Sequence, residues 1–344
     1  MVSLANVTSL AAHIDRLGDA EADLDEVSRR ALDTVLAHVP TDAWCWNTTD
    51  PTSLMITGSA IDGLPESMGA EFFRIELTEP DFLKLVDLPA RTPPAGTLWN
   101  ETGGDLAAST RWRCIFGPLG LGDELRTAFV AGGVCWGYLS LHRRQEAPPF
   151  NPREIELMAA LGPSIARAIR RVHMRSAVEE RGRRAVVLLA GDRTVLAVSE
   201  EAEELLADLE PAAARDRSDL PAAVYASVGH LEVGGSGEVT ALGASGAWLR
   251  VRASRFAGEG VAWTAVTVEP ASPLEARHHI LAAWSLTRRE AEVAEMVLRG
   301  LSTRRIAAEL YISPHTVQQH LKSVFEKSGV RSRRDLIARV NAGA

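Results

Sequence analysis

Cysteine is scarce in this 344-residue chain: Cys45, Cys114 and Cys135 are its only three, and no two form a C-x-x-C pair. That excludes a disulfide framework and points to a reducing cytoplasm. No run of ~18 apolar residues occurs, and the N-terminus lacks a basic stretch followed by an apolar one, so neither a membrane span nor export is expected. A phosphoacceptor aspartate with acidic neighbours near the N-terminus is missing, as is a G-x-x-x-x-G-K-[ST] loop. Gly117-Pro118-Leu119-Gly120-Leu121-Gly122 is glycine-rich, but Pro118 interrupts it and no lysine follows, which argues against a phosphate cradle. No nucleophile–base spacing or metal cluster stands out. His278 and His279 are adjacent, so they point in different directions on a helix and read as a solvated pair. No catalytic residue, metal ligand or cofactor is assigned, and an enzyme is not expected.

What is present fits a globular chain of ordinary composition, with 46% hydrophobic and 24% charged residues. At ~150 residues per domain its length allows two or three domains. The formal charge of −8 conceals a split. From Ala276 onward twelve Arg/Lys face six Asp/Glu, a balance of +6; the preceding residues carry 25 against 39, a balance of −14. An acidic body joined to a basic tail suits nucleic-acid contact in the tail, where Lys and Arg release counterions from the duplex.

The tail is also the most legible stretch. In Leu286–Val340, Thr287 and Glu290 have capping-box spacing, and Gly300 suits the left-handed end of the helix they open. A second helix is predicted from Ser302 or Thr303 to about Leu310, burying Ile306, Ala307 and Leu310. Ser313-Pro314 starts a third as N-cap and N1, Gly329 ends it, and Ser332 with Asp335 caps a fourth. On the third helix Val317, Leu321, Val324 and Phe325 form an apolar stripe. His315, Gln319 and Lys322 point the opposite way, flanked by Gln318 and His320, and all five offer hydrogen bonds to base edges or phosphates. Arg304 and Arg305 lie on the first turn of the second helix, where phosphates pass. Two short helices joined by a turn, the second polar on its outer face, have the geometry that enters a major groove.

These residues resemble the LuxR/FixJ/GerE-type helix-turn-helix. The matching positions are Leu286-Thr287, Arg289-Glu290, Glu292-Val293, Gly300-Leu301-Ser302, Ile306-Ala307, Ile312-Ser313, Thr316-Val317, His320, and Lys327 before Gly329-Val330. The resemblance implies a sequence-specific transcription regulator on double-stranded DNA, working as a homodimer, with RNA polymerase as a further partner. Its DNA contacts are expected among Arg304, Arg305, His315, Thr316, Gln318, Gln319, His320, Lys322 and Lys327. One departure stands out: Gln318 replaces the Lys or Arg that usually follows Thr-Val, which shifts weight from phosphate charge to a base contact.

Upstream, amphipathic helices are predicted at Leu4–Leu17 and Leu24–Val39. Strands are predicted at Ala43–Thr48 and Ser53–Gly58, a helix at Glu79–Leu88, and a loop over Arg91–Asp105. A hairpin follows, Arg126–Ala131 and Val134–Leu141 about Gly132-Gly133. A long helix runs from Pro152 toward Met174. The run Gly133–Leu141, then Pro149-Phe150, then Glu154-Ile155 through Leu161, Ile165 and Ala168, resembles the close of a GAF-type sensor domain. Further on, hairpins at Ala185–Ala190/Arg193–Val198 and Ala247–Phe256/Val261–Val268, with a helix over Ser199–Leu209, look PAS-like; a spacer sheet is the alternative. The fold class is α+β multidomain. The division is 1–21 N-terminal helix, 22–174 GAF-like sensor, 175–184 helical connector, 185–269 PAS-like unit, 270–277 linker and 278–344 helix-turn-helix.

Tryptophan is the body's notable residue. Trp44 and Trp46 share one strand face, Trp136 lies on the hairpin, and Trp112 is expected on a strand. The four either line a small-molecule pocket or pack as core. Control is then exerted by a ligand or by a partner protein. Cys45 and Cys114 read as buried structural thiols.

Overall fold

The computed structural model describes residues 4–19, 22–51, 53–174, 184–210, 220–258 and 261–342. Helices α1 (Leu4–Leu17) and α2 (Leu24–Leu36) open the chain. Asp23 caps α2 by accepting the Glu26 N–H at 2.8 Å, and Leu24, Val27, Ala31, Leu32 and Val35 are buried along one face. Strands β1 (Ala43–Thr49) and β2 (Ile56–Asp62) follow. β2 starts later than the predicted Ser53 because Leu54, at φ +61°, is spent in the turn. Helix α3 (Gly69–Thr78) ends where a helix had been predicted to begin. Glu79 precedes Pro80 and is extended, since a residue before proline is pushed out of the helical region.

The expected loop at Arg91–Asp105 contains strand β3 (Ala95–Thr97) and the short helix α4 (Leu98–Glu101), whose cap Thr97 accepts from Asn100 N–H at 3.2 Å. Trp112 is not on a strand. It starts a π-helical turn over Trp112–Phe116, and its indole donates to the Leu121 carbonyl at 3.0 Å. Strands β4 (Leu121–Ala131) and β5 (Val134–Arg144) pair across Gly132 and Gly133, both at positive φ, as a two-residue hairpin turn requires. The antiparallel sheet runs β2-β1-β5-β4-β3.

Helix α5 (Pro152–His173) carries Asn151 and Glu154 in a capping box and buries Leu157, Met158, Leu161, Ile165, Ile169 and Val172. Fully burying each such side chain is worth roughly 1.5–3 kcal/mol. α1 packs against α5, held by Asp15, which accepts from Arg167 Nε at 2.8 Å and Nη2 at 2.6 Å. The sheet's other side holds a buried charge lattice. The two Glu124 oxygens accept from Arg111 Nε and Arg126 Nε, each at 2.7 Å, and Arg126 Nη1 reaches Glu76 at 2.9 Å.

The predicted connector, 175–184, lies outside the described residues apart from Arg184. The second unit contains β6 (Ala185–Leu189), β7 (Val195–Val198), α6 (Ala202–Leu209), α7 (Ala222–Glu232), β8 (Glu238–Leu242), β9 (Trp248–Gly258) and β10 (Val261–Pro270). Its sheet runs β7-β6-β10-β9-β8. Each sheet therefore reads second, first, fifth, fourth, third in its own strand order. Ala222 to Gly229 of α7 are all buried, because the helix packs against α3 and β2 of the first unit as well as against β8 and β9. A helix apolar all round has no periodicity to betray it.

The predicted linker 270–277 is mostly helix. Ser272 and Glu275 form a capping box with Pro273 at N1, starting α8 (Pro273–Ala283). Here the units meet. A ring ladder runs from Trp136 on β5 to His173 on α5 (5.0 Å), to Trp248 on β9 (5.3 Å), to His279 on α8 (4.9 Å). His279 is buried, with Nδ1 3.6 Å from an Asp50 carboxylate oxygen, so only His278 of the pair is solvated. Burial holds His173 down at about 4 and lowers His279 as well.

Candidate nucleic-acid interface

After α8 the chain forms four helices. Thr287 Oγ1 accepts from Glu290 N–H at 3.3 Å, and Glu290 in return accepts from Thr287 N–H at 2.7 Å, opening α9 (Arg288–Leu298). Ser302 caps α10 (Thr303–Glu309) at the Arg305 N–H, 3.3 Å away. Ser313 caps α11 (Pro314–Ser328) at the Thr316 N–H, 3.0 Å away, and Gly329 ends it at φ +69°. α12 (Arg333–Ala342) starts from Ser332, which accepts from Asp335 N–H at 3.1 Å.

One core fixes the angle between these helices. Val317, Leu321 and Val324 of α11 are buried in the same cluster as Val293 and Val297 of α9 and Ile306 of α10. Two arginines with no assigned part in the sequence reading lock the turn between α10 and α11 and the start of α10. Arg289 donates to the Leu310 carbonyl at 2.9 Å, while Arg333 donates to the Leu301 carbonyl at 2.8 Å and Thr303 Oγ1 at 2.9 Å. Their partners lie 21 to 32 residues away, beyond the reach of local pattern.

With the stripe buried, the opposite face of α11 is open. His315, Gln318, Gln319 and Lys322 are exposed, whereas Thr316 and His320 are half-buried. Gln319 Nε2 lies 3.3 Å from His315 Nε2, along the ridge, and Gln318 Nε2 donates to Thr303 Oγ1 of α10 at 3.4 Å. Lys322 is 81% exposed, 3.9 Å from Glu326. Arg304 and Arg305 are exposed on α10, Arg305 being 3.5 Å from Glu309.

Lys327, one of the expected DNA contacts, also has partners within the unit. It donates to Glu290 at 2.6 Å and to the Ser285 carbonyl at 3.3 Å, with its side chain still 34% exposed. Burial by itself would raise Glu290, but Lys327, Ser323 and the Thr287 N–H outweigh it and hold the carboxyl at about 2. A residue passed over in the sequence is Tyr311, in the turn at φ +55° and 95% exposed. The run Leu310-Tyr311-Ile312 reads as apolar, which hid it.

The four tryptophans are separated. Trp44 and Trp46 line one cavity of about 520 Å³, Trp136 is sealed in the ring ladder, and Trp112 is held by Leu121. Cys45 and Cys135 are buried, with burial pushing Cys45 up to about 11, but Cys114 is exposed, contrary to expectation. Among the described residues no three His, Cys, Asp or Glu side chains cluster as a metal site, and no helix is long and apolar enough to cross a membrane.

Residues 284–340 match the family of bacterial regulatory proteins, luxR family, and this segment is a luxR-type helix-turn-helix unit. It is 44% identical over 48 residues to the spore germination protein GerE of Bacillus subtilis, covering 14% of this chain and 65% of that protein. Similarity to the transcriptional regulatory protein UhpA of Escherichia coli is 43% over 58 residues, 17% of this chain and 30% of UhpA. A putative HTH-type transcriptional regulator of Mycobacterium tuberculosis is 47% identical over 53 residues, 15% of this chain and 6% of that one. The chain thus spans less than two thirds of the length of each of these relatives. Among solved structures, Escherichia coli SdiA superposes with a TM-score of 0.36 at 13% identity, covering 98% of this chain and 97% of that one. The GAF domain/HD domain protein from Geobacter sulfurreducens gives 0.34 at 21%, covering 44% and 94%.

Proposed function

We propose that the chain is a cytoplasmic transcription regulator in which a GAF-like unit (22–174) and a PAS-like unit (185–269) govern operator binding by the C-terminal luxR-type unit. The observation that carries this reading is the two-sidedness of α11: Val317, Leu321 and Val324 are buried while Gln318, Gln319 and Lys322 are exposed on the far side. That is the arrangement of a helix held out to a major groove. Arg304, Arg305 and Lys322 contact phosphates; His315, Gln318 and Gln319 face base edges. Two chains pair so that their α11 helices meet half-sites ~34 Å apart. The body's signal shifts the population of pairing-competent chains through the junction of α5 and α8.

Gln319→Ala is the test. Footprinting on the native promoter against single-base variants is expected to show preference relaxed at one or two positions, by roughly 1–3 kcal/mol each. An unchanged preference removes α11 from the groove. A second reading puts a partner protein in place of the small molecule, favoured by Phe256 and Trp263, opposite each other on β9 and β10 and both exposed. Native mass spectrometry of gently purified protein separates the two: a reproducible added mass of a few hundred daltons sides with the ligand.

A further inference from the structure

The cavity that holds Trp44 and Trp46 lies in the seam between the two body units. Its floor is the first sheet. Trp44, Trp46 and Thr48 alternate along β1, with Ala60 and Gly58 on β2 in register opposite Trp46 and Thr48. α2 supplies a second wall through Leu24, Ser28, Leu32 and Leu36, one row at four-residue spacing. The third wall belongs to the second unit, from Asp208–Glu210 at the end of α6 and Leu242–Ala244 between β8 and β9. Glu210 stitches this seam by accepting from Ser59 N–H at 3.2 Å and Ala222 N–H at 2.8 Å.

Two polar atoms behind this lining, Trp46 Nε1, on a side chain 3% exposed, and Ser28 Oγ, are buried without a partner among the described residues and present no surface to the cavity. Leaving such a group unsatisfied costs ~1–3 kcal/mol. A helical serine ordinarily bonds the carbonyl one turn back, which Ser28 does not do. Charge defines the rest. The lining holds the carboxylates of Asp25, Asp33, Asp208 and Glu210 against one guanidinium, Arg29, itself 3.7 Å from Asp33.

We infer that this cavity is the sensory site and that it takes a flat organic cation, with its apolar body against the Trp44 and Trp46 wall and a protonated amine among the carboxylates. The inference rests on the small-molecule reading above. Because the walls come from both units, an occupant ties the first sheet to α6 and tightens the seam.

The test uses the full chain and three dyes followed by fluorescence anisotropy: rhodamine 6G (cationic), Nile red (neutral) and 8-anilinonaphthalene-1-sulfonate (anionic). Rhodamine 6G is expected to saturate and to bind about tenfold tighter than the anion. Ala60→Trp, on the exposed side of the cavity, is expected to weaken it about tenfold or more by filling the space. The double variant Asp25→Asn/Asp33→Asn, at exposed helix positions, is expected to weaken it about threefold with an unchanged thermal melt. Rhodamine binding indifferent to Ala60→Trp overturns the site. Tighter binding of the anion, blocked by Ala60→Trp, overturns the cation while small-molecule sensing stands. No binding of any dye, with DNA binding intact, overturns the inference and the sensing reading together.

Discussion

Arg126 in the first sheet and Lys322 on α11 carry the same charge, but Arg126 is 0% exposed and Lys322 is 81% exposed. The contrast extends to their surroundings. In the body, Arg111 and Arg126 share the Glu124 carboxylate, whose burial would raise it were the two guanidiniums not holding it at about 2. In the C-terminal unit, Arg288, Arg304 and Arg305 stand in solvent. The two regions therefore differ in the use of cations more than in their number. A guanidinium closed between carboxylates organises a sheet face; one at the surface waits for an anion from elsewhere.

If that division is right, the largest effect on stability comes from the body. Arg126→Met leaves Glu124 buried with one of its two guanidiniums and takes from Glu76 its Arg126 ion pair, and removing one partner of a buried pair costs ~3–5 kcal/mol. Urea unfolding of the full chain measures it. A loss below ~1 kcal/mol would show the lattice to be reached by solvent and would break the comparison at its first term.

Acid separates the two regions next. His142 and His173 are held at about 4, and His279 is lowered, in each case by burial first. For His142, Glu124 pulls upward while Arg126 and Arg111 push down. These groups stay neutral in the fold, so the unfolded chain binds more protons below its ordinary pKa near ~6.5. For His142 and His173 the stabilising contribution is complete above ~6.5 and is lost as pH falls toward 4, by up to ~3 kcal/mol each for a shift of this size; His279 adds in the same direction. Glu290 in the C-terminal unit, held at about 2, retains its contribution until pH drops below the ordinary carboxylate range near ~4.3. Acidification from pH 7 to 4.5 is expected to lower the melting temperature of the body first, followed by the fluorescence of Trp136 and Trp248 in the ladder. If the C-terminal unit melts first, the buried histidines do not control acid stability.

How much of this was legible in sequence follows from the range of each cause. Thr287, Ser302, Ser313 and Gly329 announce helix ends through bonds three or four residues long, and the C-terminal unit was readable helix by helix for that reason. Ser272-Pro273 with Glu275 uses the same local code, yet a proline at each side made it look like a linker. α7 left no trace because its every face is covered, partly by residues more than 140 positions earlier. The cavity could be half seen: the β1 tryptophans and the α2 row are periodic, but the wall from α6 and the β8–β9 turn depends on how the units pack.

Lys327 tests the comparison from within α11. Expected from its sequence to contact DNA, it also pairs with Glu290, which is buried. Lys327→Met is expected to cost ~2 kcal/mol in thermal unfolding, between the cost of an exposed pair and that of a fully buried one. Weaker DNA binding by this variant should vanish at temperatures where the unit remains folded. Persistent weakening there would show Lys327 to be a phosphate contact as well as a partner of Glu290.

Lys322→Ala is expected to have the smallest effect on the fold and the clearest effect on the partner. Its ammonium lies 3.9 Å from Glu326 in an exposed i,i+4 pair, an arrangement worth ~0.3–0.5 kcal/mol, so unfolding should shift by no more than that. Against DNA the same deletion removes one phosphate neutralisation. The slope of log K against log salt should flatten by about 0.9, and affinity should fall alike for operator and unrelated sequence. Gln319→Ala has the opposite signature, with an unchanged slope and a relaxed base preference. Measured side by side at three salt concentrations, the pair separates charge from readout on one helix face; a Lys322 variant that loses preference but keeps its slope would place this lysine over base edges and the ridge in a different register on the groove.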